Sequence, residues 1–344
     1  MIIQYLKSKL KLLVCHFILY SGILHCYIEF VYKRRRSFPL IIINYHGFFT
    51  NIDQLIDSGH SVSHRISDFR KELKFLRRYF KLISLDEAVQ ALKKNKQFDQ
   101  PTITLTVDDG YKNNFEILFP VLKETNTPIT IFLTAGLIGT KDRTWVSQMG
   151  DMILKASGES LKLNGLFSKQ SFSLKSLADK RRTYAKILGK LKDLSNSDRN
   201  QYLKEIEHLL GGVTYDTPDM LNWDDARMMQ KHNVFFGAHT CNHPILTNIP
   251  LEEAKKEILD SKKMIEKELG VPVKHFAYPN GRPRDFNEEL RQYCKEIGLE
   301  SIATCDYGHN HRPDDIWALK RIGPPLPVSI YAFNIFRALL KRGS

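Results

Sequence analysis

From residue 40 onward, short runs rich in apolar and β-branched residues alternate with longer stretches whose apolar side chains return every three or four positions. Leu40–Tyr45, Thr102–Val107, 128–133, Val234–Ala238, 273–277 and 299–303 are the short runs. Their length and β-branched content predict strands, and the most apolar of them read as buried on both faces. The stretches 67–80, 113–125, Leu251–Leu269 and 287–297 predict helices. Ser84 with Glu87 predicts a capping box for a further helix, while Gly270 and Gly298 end two of the others. Strand–helix alternation predicts parallel βαβ units, hence an α/β fold arranged as a barrel or an open sheet.

Three segments break that rhythm. Residues 141–220 are rich in Lys, Ser and Leu, with helical spacing over 178–194 and 197–210. They read as a helical insertion, serving either as a lid or groove wall or as a solvated hairpin without a role. Residues 329–344 are expected to form a closing helix. At the other end, residues 12–32 are long and apolar enough to cross a bilayer, but His16, His25 and Glu29 interrupt them. No small-residue cleavage site follows, which argues against a secretory leader.

Charge sharpens this picture. Residues 1–36 carry seven basic side chains against Glu29, so +6 of the net +13 lies there, ending in Lys33-Arg34-Arg35-Arg36. An apolar stretch followed by a basic run suggests an anionic lipid surface. Residues 1–36 are therefore expected to associate with a membrane, as an interfacial amphipathic helix or a spanning anchor; packing on the protein's own core is the alternative. If the segment spans, its C-terminal positive flank favours a cytoplasmic catalytic domain; otherwise the side of the membrane stays open. Nucleic acid is not expected as a partner, because no zinc-finger, zipper or RNA-binding motif accompanies the basic residues. Five cysteines without CxxC spacing suggest no disulfide framework.

The chemically capable residues cluster where strands end: His46, Asp108 and Asp109, His239, and the turn 278–281. Carboxylate and imidazole together suit a borderline divalent metal, Zn²⁺ first, with Co, Ni or Fe as alternatives. A second aspartate beside such a site suits a general base. Taken singly, Asp-Asp-Gly is more often a turn and His-x-x-x-His two half-buried imidazoles. Cys241, between the histidines, is expected to point away from a face they share. Trp223 and Tyr278 read equally as sugar-stacking or core aromatics.

These residues resemble the polysaccharide deacetylases of the chitooligosaccharide-deacetylase type (carbohydrate esterase family four). The resemblance rests on Thr106-Val107-Asp108-Asp109-Gly110, on His239-Thr240-Cys241-Asn242-His243-Pro244, on Ala277-Tyr278-Pro279-Asn280-Gly281 and on the approach Leu221-Asn222-Trp223-Asp224. It implies a distorted (β/α) barrel over residues 37–328 that removes N-acetyl groups from amino sugars of a cell-envelope or exported polysaccharide, or its lipid-linked precursor. By position, Asp109, His239 and His243 would bind the metal, Asp108 would be the base, and the Asn280 N–H would help hold the oxyanion. The family's late catalytic histidine is missing at Leu319-Lys320-Arg321, and His46, similar to a histidine of the biofilm-polysaccharide deacetylases, is expected to serve as acid. The arginine that many members use to orient the base is replaced by Ala277, leaving Arg282 or Arg321 to supply it. Two other readings compete: a two-histidine, one-carboxylate iron oxygenase, and a non-catalytic sugar-binding relative.

Overall fold

The six residues of Leu40–Tyr45 (β1), apolar except for Asn44, and the six apolar or β-branched residues of Thr102–Val107 (β2) are all buried and pair in parallel, with Leu40 opposite Thr102 and Tyr45 opposite Val107. Burial on both faces is what a parallel sheet covered by helices imposes. The sheet continues through Ile129–Leu133 (β3), Val234–Ala238 (β4), His275–Ala277 (β5), Ser301–Tyr307 (β6) and Leu319–Arg321 (β7), every neighbouring pair parallel. Closure comes from Ile322, which donates to the Ile42 carbonyl and accepts from the Asn44 N–H, both at 2.9 Å. The expected distorted (β/α) barrel is present, with seven strands. This computed structural model describes residues 21–34, 37–51, 63–167, 170–211, 219–311 and 313–323, with isolated positions at 10, 13–15, 17 and 329.

Helices fill the crossovers. Ile23–Arg34 (α1) precedes β1; Ile66–Tyr79 (α2) and Leu85–Lys93 (α3) join β1 to β2. The Ser84–Glu87 capping box opens α3 as predicted. The stretch predicted as one helix over 113–125 begins with a π turn, Asn114–Leu118, and continues as Phe119–Thr125 (α4). In the insertion, the two predicted helices are Leu177–Leu191 (α6) and Asn196–Leu210 (α7). It also holds Trp145–Lys155 (α5) and an antiparallel hairpin, Ser160–Leu163 with Gln170–Ser173. Trp223–Gln230 (α8), Leu251–Leu269 (α9) and Glu288–Glu296 (α10) complete the ring. The left-handed Gly270 that closes α9 has φ +67°.

Alternate residues of β1 serve two cores. Ile41, Ile43 and Tyr45 join the large cluster beneath the helices, whereas Leu40 and Ile42 pack with Phe132, Ala277, Ala303 and Leu319. The insertion has its own core, built on Met149, Ile153, Leu163, Ile187 and Ile206, and Ile245 from the barrel joins it. It is therefore a packed unit seated on the barrel rather than a solvated hairpin.

On α1, Leu24 and Ile28 are buried in the large core, so part of the N-terminal segment packs on the protein itself. Among the described residues, no helix is long and apolar enough to cross a membrane. The expected helix over 329–344 lies outside the described residues apart from Ser329.

Candidate active site

Parallel strands all finish at one mouth of a barrel, so the residues that follow them converge there. His46 follows β1, Asp108 and Asp109 follow β2, His239 follows β4, and Arg321 ends β7. Asp109 Oδ1 stands 3.4 Å from His239 Nε2 and 3.3 Å from His243 Nε2. One ligand atom from each of the three lies within 4.8 Å of the others. His239 Nδ1 is 2.7 Å from the Ala277 carbonyl. A carbonyl only accepts, so Nδ1 carries the proton of that bond and the opposite nitrogen faces Asp109.

Asp109 Oδ1 is buried yet receives no hydrogen bond of acceptable geometry. The oxygen and the two nitrogens thus converge on a shared point rather than on one another. With neutral imidazoles such facing lone pairs repel in a low-dielectric interior, and a cation between them removes the repulsion. An O,N,N set that leaves further positions open suits Zn²⁺ and related ions. The residues fit a metal.

Burial would raise the Asp109 pKa, but the two imidazoles hold it well below the usual carboxylate range. Burial also pushes both imidazoles downward. At His239 the aspartates outweigh it and the net direction is up, whereas at His243 burial wins and the pKa falls. His243 is accordingly held toward its neutral, ligating form.

The backbone that presents these groups is strained. Asp109 (φ +76°), Thr240 (φ +66°) and His243 (φ +59°) are the non-asparagine, non-glycine residues with positive φ among those described. Each such residue costs on the order of 1–3 kcal/mol and persists only where surrounding contacts over-determine it. Here they do. Thr134 donates to the Asp109 carbonyl at 3.1 Å and Ala135 to that of Thr240 at 2.9 Å. Glu257 on α9 accepts from the N–H groups of Cys241 and Asn242 and from the Asn242 side chain, at 2.7–2.9 Å. Thr240 Oγ1 accepts from the His243 N–H at 3.0 Å.

Asp108 sits in a different environment. Arg321 grips it bidentately, at 2.7 Å to Oδ1 and 2.9 Å to Oδ2, and Asn44 Nδ2 donates to Oδ2 at 2.9 Å. Asn44 Oδ1 in turn accepts from Arg321 and from Thr106, at 2.8 and 2.9 Å. Burial would raise the Asp108 pKa, but Arg321 first, then His239 and His46, keep it below the ordinary value. Asp108 is therefore an ionised carboxylate held beside the Asp109–His239–His243 cluster. His46 Nε2 lies 3.8 Å from Asp108 Oδ2, with 28% of its side chain exposed.

Of the two candidate arginines, Arg321 is the one that meets Asp108. Asn280 stands in the turn after β5 in a left-handed conformation (φ +63°). Its side chain accepts from Lys192 Nζ and donates to Asp285 Oδ2, both at 2.5 Å. Tyr278 is not a sugar platform: it is fully buried and stacked on Phe286 at 4.6 Å. Trp223 is half-buried, packed against the main core. Cys241 stays outside the cluster, its thiol pushed up to about 12 by burial. His64 is bound to Glu72 at 3.1 Å, His232 packs on Phe119, and His309 and His311 on each other. Sequence reasoning missed Asn44, Glu257 and Lys192, none of which stands in a motif; only Asn44, two residues before His46, had a local signal.

The sequence profile described as polysaccharide deacetylase matches residues 95–302, more than half of the chain. YxkH of Bacillus subtilis (strain 168), itself assigned to the polysaccharide deacetylases, is 28% identical over 310 residues, 90% of this chain and 80% of that protein. Among solved structures, the Streptococcus pyogenes deacetylase PplD in complex with acetate superposes with a TM-score of 0.59, at 16% identity, over 89% of this chain and 100% of that one. IcaB from Ammonifex degensii gives 0.54, also at 16% identity, over 86% and 98%. At such identities the two structures bear on the fold alone, and the profile carries the assignment. The chain belongs to the polysaccharide deacetylase family and is a hydrolase of carbon–nitrogen bonds.

Proposed function

We propose that the chain is a metal-dependent N-deacetylase acting on the acetamido groups of an amino-sugar polymer. The observation that carries the reading is the convergence of Asp109 Oδ1, His239 Nε2 and His243 Nε2 beside a separately held, ionised Asp108. Asp109, His239 and His243 would hold the ion, Zn²⁺ before Co, Ni or Fe, which would supply Lewis-acid polarisation and a lowered water pKa. Asp108 accepts the proton of the attacking water as its oxygen adds to the acetyl carbon. Arg321 and Asn44 keep that carboxylate aimed and charged until the proton arrives. The Asn280 N–H donates to the oxyanion that forms. The C–N bond then breaks, His46 gives a proton to the departing amine, and acetate and the free amino sugar leave.

Dialysis against a chelator should abolish acetate release from N-acetylglucosamine oligomers, and added Zn²⁺ or Co²⁺ should restore it. Full activity after complete metal removal would reject the ion's role.

The polymer belongs to the cell envelope or is exported, or it is a lipid-linked precursor, and residues 1–36 bring the enzyme to the membrane. What supports this is an exposed stripe at helical spacing: Leu10, Leu13, Val14 and Phe17 are each 47–66% exposed. Positions i, i+3, i+4 and i+7 share one helix face, and an unburied apolar face beside basic residues suits a lipid interface.

A further inference from the structure

We infer that Lys192, supplied by the insertion, is a positioning residue of the active site: it holds Asn280 so that this residue's N–H meets the oxyanion. The inference rests on the deacetylase reading. Asn280 is gripped at both ends of its amide, by Lys192 Nζ at Oδ1 and by Asp285 Oδ2 at Nδ2, each at 2.5 Å. A side chain tethered twice fixes the left-handed backbone beneath it (φ +63°) and with it the direction of the N–H.

Lys192 is itself held, unlike most lysines. It caps α6, and its carbonyl accepts from Asn248 Nδ2 at 3.1 Å, while the same amide donates to the Leu194 carbonyl at 2.7 Å. Its neighbour Asp193 pairs with Arg284 at 2.7 Å. Asn248 follows the His239–His243 loop and Arg284 lies in the turn Pro283–Asp285 after Asn280. Two loops of the mouth thus clasp the end of α6 and deliver a half-buried ammonium to Asn280 in the turn after β5. The alternative is a latch that only docks the insertion, and kinetics separate the two.

The test is steady-state acetate release from N-acetylglucosamine oligomers by full-length protein, with melting temperature and metal content measured alongside. Because the oxyanion exists only in the transition state, Lys192→Met should lower kcat by roughly 30- to 100-fold and leave KM within about threefold. Metal content should not change, and Lys192→Arg, which keeps a charged donor, should recover most of the loss. A kcat within about threefold of wild type overturns the inference; so does a loss explained wholly by a smaller folded fraction. Should Lys192→Met not fold, Lys192→Gln must show the same kcat-specific loss, and its absence counts against the proposal equally. A wild-type protein that releases no acetate from any N-acetylated glycan would instead overturn the deacetylase reading, before any variant is made.

Discussion

Two adjacent aspartates, identical in side chain, are held in different environments by what each touches. Asp109 meets imidazole nitrogens and no well-formed donor; Asp108 meets a guanidinium fork and an amide. Removing Arg321 would leave Asp108 buried without its counter-charge, a loss of about 3–5 kcal/mol where a buried pair is broken. Arg321→Met is therefore expected to lower the melting temperature and to cut kcat/KM on N-acetylglucosamine oligomers. Arg321→Lys should recover only part, because a lysine cannot span both oxygens. Calorimetry and acetate release check both; wild-type activity in Arg321→Met would remove the arginine from the mechanism. His46→Ala should lower kcat by about 10²–10⁴-fold, the usual contribution of a proton donor; unchanged turnover would dismiss His46 as the acid. The two motifs made Asp108, Asp109, His239 and His243 legible in the chain. Arg321 was one of two candidates because only distance distinguishes them, and distance is not in the sequence.

At the scale of elements, strand ends and helix caps were legible and loop conformations were not. Leu40–Tyr45, Thr102–Val107, Val234–Ala238 and Leu251–Leu269 have the bounds their composition predicts, because local pattern and burial point the same way. Inside the insertion, Trp145–Lys155 and the 160–173 hairpin were missed; their apolar residues pack on a core private to the insertion, without the strand–helix rhythm of the barrel. The loop 239–243 is the sharper case. Its two strained residues are stabilised from α9 by Glu257, 14 residues beyond His243. Glu257→Ala should leave the barrel folded but weaken metal affinity by roughly 10- to 100-fold, as loss of a ligand-orienting partner does. Competition against a chromogenic chelator would read the change, and unaltered affinity would show that the loop keeps its shape unaided.

For the whole molecule, the barrel brings residues from positions 44 to 321 to one mouth, and the insertion reaches it through Lys192 at the end of α6. The N-terminal segment is divided: Leu24 and Ile28 face the core, while the residues from Leu10 to Phe17 named above face outward. Full-length protein should sediment with vesicles containing anionic lipid, and protein lacking residues 1–20, which carry the exposed stripe but not the core residues Leu24 and Ile28, should stay in solution, the difference shrinking as salt rises. Equal partitioning of the two forms would end the membrane proposal.

The chain by itself determined the α/β class, the positions of most barrel strands and the identity of the metal-ligating and base candidates. The class and the strands follow from side-chain periodicity; which residue would be ligand and which base comes from the resemblance of the motifs at strand ends to those of the family. Only the tertiary structure decided which arginine meets Asp108, that Tyr278 is core, and that a lysine in the insertion reaches Asn280. Those are meetings between residues far apart in sequence, settled by how the barrel closes and where the insertion packs.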